Sequence, residues 1–117
     1  METVTFRRIL MPTDFSDLAG MAIPWAKAIA GRSGAEIEVI YADPFLPPPY
    51  FTAAHLEEAV AQLSRSRELA EDELERYVAE EFGDGFTARA AVVESLPVQA
   101  IAEWSERNET DLIIMGT

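Results

Sequence analysis

The sequence predicts a doubly wound α/β domain built on a parallel sheet, and three observations carry that prediction. Four short apolar runs alternate with three helical patterns in the order β-α-β-α-β-α-β. Such alternation forces parallel strands, right-handed crossovers and helices on both faces of the sheet. The strand runs become continuously apolar, as strands covered on both faces do. The longest helical pattern, Thr52 to Phe82, sets Leu56, Val60, Leu63, Ala70, Leu74 and Tyr77 on one side, with Glu and Arg opposite.

Taken in order, "FRRILM" (Phe6–Met11) reads as the first strand, closed by Pro12. "SDLAGMAIPWAKAIAG" reads as a helix with Ser16 as N-cap and Gly31 as its stop. Pro24 conflicts with a continuous helix, because it removes one hydrogen bond and crowds the Gly20 carbonyl; the expectation is one bent helix. "AEIEVIYAD" is the second strand, and the proline-rich "DPFLPPPYF" a loop. The long helix follows, ended by "GDG" at Gly83–Gly85. "FTARAAVV" is the third strand, Pro97 to Asn108 a helix with Ile101 and Trp104 inward, and "DLIIM" the fourth strand. No internal repeat or long linker divides the 117 residues, which read as a single domain.

Composition narrows the partners. Nine basic residues against 21 acidic ones give a net charge of −12. Nucleic-acid phosphates and anionic membranes need a basic patch, so neither is an expected partner. No apolar run reaches the roughly 18 residues of a membrane span. The absence of cysteine excludes a disulfide scaffold and suits a reducing compartment, so a cytoplasmic location is expected. Lys27 is the single lysine. A phosphate site would therefore rest on backbone N–H groups and helix dipoles, or on a metal.

In a sheet of this kind, ligands bind beyond the carboxyl ends of the strands where strand order reverses. That places "PTD" after the first strand opposite "MGT" after the fourth. Asp14 is either an acceptor for a ligand's hydroxyl or amino groups, or a local Asx-turn residue. Gly116 would let the backbone turn sharply or approach another group closely. Other candidates read as structural. "GRSG" (Gly31–Gly34) lies between a helix and a strand and is a helix stop; no Walker-type lysine motif exists. His55 is the only histidine and has no second histidine or cysteine to share a metal, so no metal site is expected from side chains. A Ser16–His55–Asp14 triad lacks the G-x-S-x-G elbow. The loop aromatics Phe45, Tyr50 and Phe51 either stack on a bound base or anchor the loop to the long helix.

"RRILMPTDFS", "EIEVIYADP" and "VVESLPVQAIAEWSERNETDLIIMGT" together resemble the universal stress protein family across essentially the whole chain. Ser95 stands where the family usually has glycine, a minor departure. The resemblance implies an adenine nucleotide alpha-hydrolase-like fold, with sheet order 3-2-1-4 here and the family's usual fifth strand missing. It also implies ATP binding, with a divalent metal, and a homodimer. Pro12, Thr13 and Asp14 match the turn that borders the nucleoside, and Ala42 the position whose backbone meets adenine. Met115 and Gly116 match the opening of the glycine segment that cradles the phosphates. By the same resemblance the sequence stops inside that segment, before the last helix, so triphosphate binding is expected to be weak if the chain ends at Thr117. Two functions follow: a nucleotide-binding stress-response regulator, or a dimeric interaction module that holds no nucleotide. No general base is paired with a nucleophile, so at most weak ATP hydrolysis is expected.

Overall fold

The computed structural model describes residues 5–44 and 52–116. In chain order the elements are β1 (Arg8–Pro12), α1 (Asp17–Gly20), α2 (Ile23–Ser33) and β2 (Glu36–Ala42). They continue as α3 (Ala53–Phe82), a 3₁₀ turn (Gly83–Gly85), β3 (Ala88–Val93), α4 (Pro97–Arg107) and β4 (Leu112–Ile113). All strand pairs are parallel, in the order β3-β2-β1-β4. The expected fold and strand order are therefore present. Phe45, Tyr50 and Phe51 lie outside the described residues.

Alternation along the two inner strands divides the core. Ile9, Met11, Ile37 and Val39 face α2 and α3, where Ala22, Ala26, Leu74, Val78 and Phe82 meet them. Leu10 and Ile40 face the opposite side, closed by Ala100, Ile101 and Trp104 of α4. Covering both faces is why β1 and β2 carry consecutive buried residues rather than alternating ones.

The first crossover departs from expectation. Pro24 does not bend one helix; it sits in the first turn of a second one, where its missing N–H has no helical partner to lose. The four-residue α1 closes before it, with Met21 N–H on Leu18 and Ala22 N–H on Ala19 carbonyls at 3.2 Å each. The stop also moves: Gly31 stays helical, and Gly34 takes the left-handed φ of 70° while its N–H bonds the Ala30 carbonyl at 2.8 Å.

β4 has two ladder residues, Leu112 and Ile113, paired with Ile9 and Leu10. Side chains reinforce this short seam. One Asp111 carboxylate oxygen accepts the backbone N–H groups of Arg7 at 2.8 Å and Arg8 at 3.0 Å. The Arg8 guanidinium returns across the seam to the Asn108 carbonyl at the end of α4, at 2.6 Å. Those two amide bonds, the largest influences on it, hold the Asp111 carboxyl below its ordinary 3.8. A depressed carboxyl stabilises the fold above its unfolded pKa, and that contribution is lost as pH falls through the folded value.

Glu38 is the one charged side chain in the described core, 2% exposed. Its Oε2 accepts from Arg89 Nη2 at 2.9 Å, while Oε1 has no hydrogen-bond partner.

Two outcomes are expected. Asp111→Ala should lower the urea midpoint at neutral pH, and the gap to the parent should close only as pH falls below about 4. Arg89→Ala, which strands the buried Glu38 carboxylate, should cost about 2 kcal/mol in chemical denaturation. Glu38→Leu removes the charge itself and should cost less than Arg89→Ala.

Candidate functional site

The site begins where β1 ends. Thr13 continues the ladder, its N–H on the Ile40 carbonyl at 2.9 Å, and its residue is buried. The chain then turns through three local side-chain bonds. Phe15 N–H donates to Thr13 Oγ1 at 3.1 Å, Ser16 N–H to Asp14 Oδ1 at 2.9 Å, and Ala19 N–H to Ser16 Oγ at 3.1 Å. Ser16 thus caps α1, as the sequence predicts. The turn forces Phe15 to φ 64°, a left-handed conformation that costs a bulky residue free energy. Its ring is held against Tyr41 at 5.1 Å and Tyr77 at 5.7 Å between centroids. The Tyr77 hydroxyl also bonds the Thr13 side chain, although burial outweighs that bond and pushes the phenol above 10.0.

Asp14 takes the local role, one of the two readings made of it. One oxygen completes an Asx turn with Ser16. The Ser16 hydroxyl and amide hold the carboxyl below its usual 3.8, so it is ionised at neutral pH. The residue is exposed and stands on the wall of a cavity.

That cavity measures about 220 Å³ and opens at the carboxyl ends of β1, β2 and β4. Pro12, Thr13, Asp14, Ala42, Met115 and Gly116 all line it, so residues from three separate segments meet there. The remaining wall comes from Ser16, Leu18 and Ala19 of the first crossover, Ile40 and Tyr41 of β2, and Pro97 and Ile101 of α4. The last pair was legible as one helix face, four residues apart, but nothing in the sequence placed it over this crevice. No lining residue is basic; Lys27 instead sits over the Phe82 ring at 5.9 Å. Among the described residues no group of three or more histidine or acidic side chains is placed to hold a metal.

Gly116 has a specific steric role. A Cβ built on it would stand 1.8 Å from the Leu18 carbonyl oxygen and 3.0 Å from the Ala19 Cα. The backbone leaving β4 therefore lies directly on α1, and only glycine permits that contact.

The universal stress protein family model matches residues 5–117. The chain is 30% identical to universal stress protein MJ0531 of Methanocaldococcus jannaschii over 96% of its own length, and spans 65% of that relative. The solved structure of protein MJ0577, from the same organism, superposes with a TM-score of 0.77 at 25% identity, over 96% of this chain and 75% of that one. An Arabidopsis thaliana family protein with AMP bound has the same fold, with a TM-score of 0.59 at 14% identity, over 92% and 76% of the two chains.

Gly116→Ala is expected to destabilise the protein by about 1–3 kcal/mol, since the added methyl meets backbone rather than a yielding side chain. Thermal and urea unfolding of the purified variant would check this.

Proposed function

The chain belongs to the universal stress protein family, and on that premise we propose that it is a regulatory domain whose cavity takes an adenine nucleotide, ATP included. One observation carries the reading: Pro12–Asp14, Ala42 and Met115–Gly116, distant in sequence, converge on a single cavity at the sheet's switch point. The AMP bound to the Arabidopsis relative supports the same ligand class.

The fit sets how the nucleotide would lie. A cavity of about 220 Å³ is smaller than the roughly 300–1,000 Å³ of most small-molecule sites. It encloses a base and part of a sugar, and leaves the phosphates, with any divalent metal, outside. Its apolar floor of Ile40, Ala42 and Ile101 suits a flat aromatic base. The Asp14 carboxylate at its wall is an acceptor for ribose hydroxyls or an exocyclic amine. With no basic side chain lining the cavity, charge neutralisation of the phosphates falls to backbone N–H groups and metal. A cytoplasmic, homodimeric protein completes the proposal.

Calorimetric titration with AMP and ATP tests it. Asp14→Asn is the informative variant, because Asn keeps an Oδ1 for the Ser16 amide while removing the charge. It should unfold like the parent and bind at least about tenfold more weakly. Since Asp14 titrates below its ordinary value, the ratio of parental affinity to that of Asp14→Asn should stay level from about pH 8 to about pH 5. Failure of the parent to bind either nucleotide would leave the dimeric interaction module as the reading.

A further inference from the structure

Opposite the nucleotide cavity, β3 forms one border of the sheet. The carbonyls of Thr87 and Val93 accept from Ile37 and Asp43 of the β2 side. By the alternation of a parallel ladder, Ala88, Ala90 and Val92 direct their N–H and C=O groups outward. Among the described residues nothing pairs with that border. It also lacks the usual guards: no proline, lysine or bulge interrupts its six residues. Arg89, its one charge, is drawn to Glu38 and Glu36.

The border has a wall. α3 packs over β3; two hollows lie between strand and helix, and a third, lined by α3, opens at Glu94 just past the strand. They measure about 240 Å³ beside Ala88, 270 Å³ beside Ala90–Val92 and 480 Å³ near Glu94. Glu68, Glu71 and Glu75, three and four residues apart, run along them on one face of α3. None of these three carboxylates has an ion pair among the described residues. Arg67, the nearby cation, is already committed to Asp43 and to Glu94 at 2.7 Å.

We infer that this border is a docking site for an extended, basic polypeptide segment that adds a strand beside β3. Its backbone pairs with Ala88, Ala90 and Val92, and lysine or arginine side chains on one face reach Glu68, Glu71 and Glu75. Charge decides between occupants. A second copy of this chain, at net −12, would bring the same three carboxylates against themselves. A basic segment satisfies both the unpaired backbone and the unpaired acids. Six residues make a small interface, so a weak, salt-sensitive complex is expected.

The probe is a fluorescein-labelled Lys-Val-Lys-Val-Lys-Val peptide, followed by anisotropy, with amide exchange of the full chain read by NMR. Binding should slow exchange at Ala88, Ala90 and Val92. Glu71→Lys combined with Glu75→Lys, both on the surface of α3, should weaken it at least about tenfold. The Glu-Val counterpart should not bind. A Lys-Val peptide N-methylated at alternate residues keeps the charge but loses the backbone donors, and it should not bind either. Equal binding of the methylated peptide would overturn strand addition in favour of a plain acidic patch. No binding of the Lys-Val peptide, or protection of the same amides in a peptide-free dimer, would overturn the basic occupant.

Discussion

The crevice depends on a seam only two ladder residues long. β4 must lie beside β1 for a switch point to exist, yet its ladder is only Leu112 and Ile113, flanked by single backbone bonds from Asp111 to Arg8 and from Ile114 to Leu10. The Asp111 carboxylate supplies what the ladder lacks, gathering two successive β1 amides on one oxygen. Arg8 answers from the other strand by holding the last carbonyl of α4. The seam thus locks strand to strand and strand to helix at the end remote from the cavity. Met115 and Gly116 then leave β4 in a fixed direction, toward Leu18. Geometry at the site is set by electrostatics at the opposite end of the same two strands.

At the cavity end the constraint is steric. Gly116 and α1 share a contact that no side chain can enter. The turn that delivers α1 holds Phe15 in a strained backbone state. Strain of this kind persists only where surroundings over-determine it, and here Tyr41, Tyr77 and the Thr13 hydroxyl do so. Tyr77 links that turn to α3, so the long helix is coupled to the cavity's rim as well as to the core.

The architecture was legible because it follows from periodicity and alternation, which burial on two faces imposes on the sequence itself. Of the six candidate positions, strand ends alone put "PTD" opposite "MGT"; only the family resemblance singled out Ala42. What escaped has a physical cause in each case. Pro24 looks the same to a sequence reader as a kink or as a helix start, and only the i→i+3 closure of α1 decides. Gly31 and Gly34 compete as stops, and the left-handed angle, invisible in sequence, falls on Gly34. Phe15 carries no sign of positive φ, since bulky residues avoid it. Pro97 and Ile101 reach the cavity through packing of α4 across β2, a tertiary fact.

Charge ties the two candidate surfaces together. In a chain at net −12, four of the nine cations make structural contacts: Arg8 at a helix end, Arg89 with Glu38, Arg67 with Asp43 and Glu94, and Lys27 over a ring. None lines the switch-point cavity. The one charged group on the cavity wall is the Asp14 carboxylate, an acceptor held ionised by Ser16. Three carboxylates without ion pairs among the described residues, Glu68, Glu71 and Glu75, line α3 above the open border of β3. The same excess of acid leaves the cavity wall without a cation and, among the described residues, the α3 face with carboxylates that no cation offsets.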